Sequence, residues 1–246
     1  MRARRILRVV AVALAAVLAT GLAATAALQL PAVQRALLRA ALHAAGGEAI
    51  ARVEVDRVSG LSFGTLLIEG LSLVDGEGPW LAMDRLEIDW RPSRLLAGRL
   101  DIAALTLGTL DVARLPATDA AAAPPRDTLV PGLPFDLRLG RLAVGRIALG
   151  EAVAGVPMAV AVGGDIEAGG DGSAFASLIM TPLDGPAGRL ALEAALAPGG
   201  DALTLSVDYR EPAGGLVARL AGSSDLPALA LVLSGDGPLA DWRGRL

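Results

Sequence analysis

From Ile50 onward, apolar and polar residues alternate along the chain. Val53 and Val55 are interleaved with Arg52, Glu54 and Asp56. Leu71 and Leu73 flank Ser72, and Leu86, Ile88 and Trp90 alternate with Glu87 and Asp89. Leu100 and Ile102 flank Asp101, Leu105 and Leu107 flank Thr106, and Leu110 and Val112 flank Asp111. Period 2 sends successive side chains to opposite faces, so the pattern predicts strands with one apolar and one polar face. Turn chemistry separates them at Ser59-Gly60, Asp75-Gly76-Glu77-Gly78-Pro79 and Pro92-Ser93. Between Pro92 and Gly98 the spacing predicts one helical turn. Residues 115–134 show no period and carry five prolines, so they read as a linker or surface excursion. Candidate strands then resume at 135–149, 158–168, 173–181, 187–197, 201–210, 214–221 and 227–235, divided by Asp-Gly, Gly-Gly or Pro. Connections this short predict an antiparallel meander, because a parallel pair needs a crossover of a dozen or more residues.

The first 47 residues follow another period. Arg2, Arg4, Arg5 and Arg8 precede an uncharged run from Val9 to Leu30, 22 residues long. As a helix that run measures about 33 Å, enough for a hydrocarbon core of about 30 Å. Leu14, Leu18, Leu22 and Leu28 supply much of its apolarity, and the arginines predict a cytoplasmic N-terminus with the remainder outside. Ala24-Thr25-Ala26 matches a signal-peptidase site, so cleavage is the rival expectation. Either way the rest of the chain leaves the cytoplasm. Pro31 opens an amphipathic helix whose apolar stripe includes Val33, Leu37, Leu38 and Leu42, ended by Gly46-Gly47. It reads either as a collar on the membrane surface or as a cap on the sheet edge.

Composition removes whole classes of chemistry. The 246 residues are 53% hydrophobic and only 3% aromatic, with a net charge of −4, so no electrostatic footprint for nucleic acid exists. There is no Cys, no Lys and a single His, His43. Thiolate nucleophiles, Cys-based zinc sites, Walker A and Schiff-base lysines and two-His metal sites are therefore excluded. Gly60-Leu61-Ser62-Phe63-Gly64 matches the nucleophile elbow as a string, but the only His precedes it, whereas the hydrolase order needs His after Ser. Gly169-Gly170-Asp171-Gly172 opens like a calcium nonapeptide, yet Ala174 stands where Asp is needed and the unit occurs once. Glu87 and Asp89 share one side of a strand, the solvated one. These readings point to no enzyme, no metal and no cofactor.

Ten or more strands in a meander make a ribbon with one apolar face that something must cover. Few helices are available, and 3% aromatics lacks the girdles of an outer-membrane barrel. A sandwich built from Leu, Val and Ala would pack loosely. Acyl chains, by contrast, need only water displaced, at about 25 cal/mol per Å². The expected fold is therefore mainly β: a transmembrane helix and a short amphipathic helix, then an elongated antiparallel sheet curled into an open groove, a β-taco.

Residues 60–115 resemble the N-terminal region of the TamB family, inner-membrane-anchored AsmA-like proteins similar to bridge-like lipid transfer proteins. The likeness rests on Val58-Ser59-Gly60 and Gly70-Leu71-Ser72-Leu73-Val74-Asp75, then Gly78-Pro79-Trp80-Leu81 and Leu86-Glu87-Ile88-Asp89-Trp90-Arg91-Pro92. Leu95-Leu96-Ala97-Gly98-Arg99-Leu100 and Ala113-Arg114-Leu115-Pro116 continue it, and Ser234–Gly244 resembles a segment that recurs in such chains. The resemblance implies a protein of the translocation and assembly module that carries phospholipid between inner and outer membrane. It also implies support for outer-membrane protein assembly, with an outer-membrane barrel partner, TamA-like, reached through a C-terminal region. Family members are far longer, so the chain is expected to be an N-terminal piece. The expected organisation is an anchor over 1–30, a helix over 31–47, a sheet segment over 48–116, a linker over 117–134 and a continuing meander over 135–246. Acyl chains are expected against Val53, Val55, Leu71, Leu73, Leu86, Ile88, Trp90, Leu100, Ile102, Leu105 and Leu107. The expected place is the inner membrane, single-pass, with the body in the periplasm. The alternative expectation is a periplasmic scaffold that pairs with client β-strands and carries no lipid.

Overall fold

A computed structural model describes residues 32, 52–60, 64–116, 135–222 and 226–246. The expected anchor, the expected linker and all but one residue of the expected amphipathic helix lie outside these. Among the described residues, no helix is long and apolar enough to cross a membrane.

The protein is mainly β. Eleven strands form one sheet in simple chain order: β1 (Arg52–Ser59), β2 (Thr65–Asp75), β3 (Gly78–Trp90), β4 (Arg99–Val112), β5 (Asp136–Leu149), β6 (Met158–Ala168), β7 (Ala174–Pro182), β8 (Arg189–Leu196), β9 (Ala202–Glu211), β10 (Leu229–Pro238) and β11 (Arg243–Arg245). Among the described residues the sheet does not close, and β1 and β11 are its edges. Helices are short: α1 (Glu151–Ala154), α2 (Leu216–Leu220), and 3₁₀ segments at Pro92–Ala97 and Leu239–Asp241.

Two expectations need correction. The meander is not antiparallel throughout, because β4 and β5 pair in parallel. The short-connection rule does not reach this pair. The chain between them, 113–135, runs to 23 residues, and a parallel return needs only a dozen or more. Residues 214–221 do not form a strand, because Leu216–Leu220 is the helix α2. The Glu211 carboxylate accepts the Val217 N–H at 3.2 and 3.1 Å, which satisfies an amide of the first helical turn that no helical carbonyl can reach. Consequently β10 pairs directly with β9.

The sheet has two halves of different regularity. From β6 to β10 the registers run unbroken, with strict alternation. From β1 to β5 the alternation slips at one level shared by every strand, and β4 and β5 slip again, between Ile102 and Leu105 and between Leu139 and Leu142. Inward side chains at the shared level stand three apart: Val55 and Val58, Leu71 and Ile68, Met83 and Leu86, Leu110 and Leu107, Ile147 and Val144. All ten pack in one apolar cluster. Two consecutive residues point outward between each pair. The five strands slip together, so their mutual register survives. Against β6 the shared slip appears as a shift between Val144 and Ile147, and the second one as a shift between Leu139 and Leu142. An extra outward residue bends a strand and raises its twist, so a row of them forms a crease.

Gly and Asp build the crease. Gly70 takes φ +63°, and a Cβ there would enter the Asp56 carboxylate. A Cβ on Gly108 would lie 2.6 Å from Asp84 Oδ1. That oxygen instead accepts the Thr109 N–H at 2.7 Å and the Arg85 N–H. The Thr109 amide holds the Asp84 carboxyl below its ordinary range, against an opposing cost of desolvation and with the Arg85 amide adding to it.

Candidate functional site

Cross-strand partners lie on one face, so the registers trace lanes across the sheet. One lane runs Val58, Ile68, Leu86, Leu107, Val144, Val162, Met180, Leu190, Tyr209 and Leu231. It crosses ten strands and contains no charge. The next lane runs Leu66, Ile88, Leu105, Leu142, Gly164, Leu178, Leu192, Val207 and Leu233. At about 4.8 Å per strand spacing, the ten-strand lane measures about 43 Å. The opposite face carries charge. Arg57 pairs with Glu69 at 3.1 Å, and Arg85 reaches Glu69 at 3.7 Å and Glu87 at 3.4 Å. These exposed pairs contribute about 0–1 kcal/mol each and keep that face in water.

The apolar face is filled at one end and open at the other. Val53, Val55, Val58, Ile68, Leu71, Leu73, Met83, Leu107 and Val144 are buried in one cluster. Val58, on an edge strand, is only 2% exposed. Along β7, β8 and β10 no residue is buried, and along β9 only Glu211 is. Leu178, Leu192, Leu205, Val207, Leu231 and Leu233 therefore keep part of their surface open. The filled part is the creased part.

Of the residues expected to meet acyl chains, Val53, Val55, Leu71, Leu73 and Leu107 belong to the buried cluster, and Leu86 packs against it. They are buried together there. Ile88, Leu100, Ile102 and Leu105 are half-buried and line up with Leu66, Leu137, Leu139 and Leu142. Trp90 faces Ile102, and its indole N–H is buried without a partner among the described residues. All eleven point to one face. The open stretch, however, lies on β7 to β10, which the sequence reading did not single out. Its signal was available in the alternation of Leu190, Leu192, Ala194 and Leu196 and of Leu203, Leu205, Val207 and Tyr209.

The strand ends form the two rims. On one, Asp75 and Arg114 make a two-pronged pair at 2.5 and 2.7 Å, and Arg114 also donates to the Gly78 carbonyl at 2.9 Å. This ties the end of β4 to the β2–β3 turn. Hydrogen bonding to Asp75 holds the Arg114 guanidinium above its ordinary value, against some desolvation. On the same rim α2 folds over the sheet, with Ala218 1% exposed and Arg219 donating to the carbonyls of Asp184 and Pro157, each at 2.9 Å. Tyr209 donates to Glu211 at 2.5 Å. Burial first, and this bond second, push the phenol well above its ordinary pKa.

The other rim holds a cavity of about 860 Å³ beside the 3₁₀ segment Pro92–Ala97. The calcium-like segment lies here and is a hairpin turn. Gly169 N–H donates to the Ser173 carbonyl at 2.8 Å, and Asp171 accepts Ser173 Oγ at 2.6 Å and its N–H at 3.0 Å. The Ser173 hydroxyl and amide hold the Asp171 carboxyl below its ordinary range. Gly60 and Gly64, the ends of the elbow-like string, both take positive φ, and its Ser62 lies outside the described residues. Among the described residues, no three of His, Cys, Asp and Glu come together as a metal site.

A family model described as "YdbH-like: Intermembrane phospholipid transport protein YdbH" matches residues 14–243. No curated protein and no solved structure matches the chain.

Proposed function

The chain belongs to the YdbH-like family of intermembrane phospholipid transport proteins, and from that premise we propose that it carries phospholipid with the acyl chains laid along the apolar lanes, across the strands. The observation that carries this reading is the continuous lane: from Val58 to Leu231 ten strands contribute one side chain each, none charged. Hydrocarbon on such a strip gains about 25 cal/mol per Å² of apolar surface taken from water. The open stretch on β7 to β10 is the place where chains lie, while the creased stretch holds its shape. No bond in the lipid is made or broken. The arginines at the N-terminus and the run over 9–30 support a single-pass inner-membrane anchor with the sheet in the periplasm.

The family that matches is named for YdbH, not TamB. A role in the translocation and assembly module, with a TamA-like barrel partner and outer-membrane protein clients, is the second reading. It is favoured by β11, a short, exposed strand at the edge of the sheet among the described residues, the kind of strand to which another can add.

The test replaces two facing lane residues, Leu192→Asp with Val207→Asp, in the full chain purified from membranes in detergent. Bound phospholipid is measured by mass spectrometry, and circular dichroism confirms the sheet. We expect phospholipid per chain to fall severalfold, with no change for Glu193→Gln on the opposite face. Unchanged lipid in the double variant, with photo-crosslinkers on β11 capturing outer-membrane proteins, would sink the lipid reading and support the scaffold.

A further inference from the structure

The rim cavity takes in both sides of the strand ends and touches the lanes on one of them. Its floor includes Leu100, Leu137, Ala168, Ala174 and Leu196, consecutive partners from β4 to β8 and the outermost apolar row of the face. Its charged residues stand mostly on the other side, where Asp101, Arg138 and Glu167 alternate with Leu100, Leu137 and Ala168. Arg91 pairs with Asp101 at 3.1 Å, Arg99 with Asp136 at 3.5 Å and Arg138 with Glu167 at 3.3 Å. Two charges of the lining remain. Arg94 has no carboxylate partner among the described residues, and Asp171 is held by Ser173 alone.

We propose that this cavity is a headgroup site for a zwitterionic aminophospholipid, with Arg94 taking the phosphate and Asp171 the ammonium. The inference rests on the lipid-carrying reading above and adds the headgroup class. A lining with three internally neutralised pairs, one spare cation and one spare anion matches a ligand that carries one charge of each sign. An anionic lipid would meet Asp171 with nothing to offer it. Arginine suits the phosphate because its planar donors meet two oxygens at once. The acyl chains would leave the cavity over Leu100 and Leu137, cross the row of Ile102 and Leu139, and enter the lane of Ile88 and Leu105, two rows in. The Asp171 turn is braced by Ser173 and by the Gly170 amide donating to Asp136 at 3.1 Å, so the carboxylate is presented on a fixed hairpin.

The test uses the full chain in detergent, loaded from mixed micelles of equal phosphatidylethanolamine and phosphatidylglycerol, and reads bound headgroups by native mass spectrometry. We expect the unmodified chain to favour the ethanolamine lipid. Asp171→Asn should erase that preference, and Arg94→Ala should lower occupancy by both lipids about threefold to tenfold, the effect of one charge-assisted contact at a partly wet site. Arg94→Lys should restore part of it. If both variants keep the unmodified headgroup ratio and occupancy while Leu192→Asp/Val207→Asp loses lipid, the headgroup site falls and the lanes stand. If the unmodified chain carries no lipid, both readings fall. Titration with soluble phosphoethanolamine separates a lipid site from a site for a free phosphate compound. Binding of phosphoethanolamine as tight as that of the lipid would overturn the proposal.

Discussion

If the creased end of the sheet is a filled core and the regular end an open surface, truncating a leucine must have opposite consequences at the two ends. Leu107 is the sharpest probe. It lies between Leu86 and Val144 in register, is 8% exposed and belongs to the buried cluster. Leu107→Ala removes three carbons whose space the neighbours refill only in part. In well-packed cores that change costs about 2.7–5 kcal/mol. A domain of ordinary stability has about 5–15 kcal/mol in all. At about 2–4 °C per kcal/mol for a chain of this size, the midpoint should fall by about 5–20 °C. Leu192→Ala removes the same atoms from a half-exposed site, so its cost should be about 1 kcal/mol. The assay is thermal and urea unfolding followed by circular dichroism, with bound phospholipid measured on the same samples. We expect Leu107→Ala to lose stability and keep its lipid, and Leu192→Ala to keep stability and lose lipid. A cost under about 1 kcal/mol for Leu107→Ala, or equal lipid loss in the two variants, would refute the division of the face into core and lane.

Two further outcomes follow from titratable groups. Asp84 takes the amides of the crease and its carboxyl is held below the ordinary range. A depressed folded-state pKa contributes stability above the unfolded value, and this is lost as pH falls through the folded one. Urea unfolding should therefore show Asp84→Asn less stable than the unmodified chain at pH 7, with the two converging under acid. A constant gap across that range would disprove the assignment. Tyr209 is the single tyrosine of the chain, so its ultraviolet titration is unobstructed. Its raised pKa means that ionisation in the folded protein should begin only above the range of free tyrosine, about pH 10. The stability it contributes is complete below that range and fades as pH rises towards its folded value. A phenolate band appearing at the free-tyrosine position in the folded protein would remove the Tyr209–Glu211 contact from the description.

Much of the strand layout was legible because period 2 is a local property. Leu86, Ile88 and Trp90 alternate with Glu87 and Asp89 wherever the strand is placed, and β3 contains them. Ser59-Gly60 and Pro92-Ser93 also read correctly as breaks, whereas Gly78 and Pro79 already belong to β3. The helix α2 escaped because Leu216 to Leu220 is too short to show a helical period. Its determinant, the Glu211 carboxylate, acts on Val217 six residues away. The crease was written in the sequence as pairs of outward residues such as Asp84-Arg85 and Gly108-Thr109. Each pair looks like a lapse in alternation until neighbouring strands bring five of them to one level.

The chain alone determined that there would be strands, that each would have an apolar side, and that no thiol, lysine or histidine-pair chemistry would be present, since these depend on residue type and near neighbours. Only the tertiary structure decided that β4 and β5 run parallel, that Asp75 meets Arg114 across 39 positions, and that Val53 and Leu107 are buried while Leu192 and Val207 stay half open. Alternation states which way a side chain points. Whether something stands opposite it is a matter of space, set by register and curvature over many strands at once.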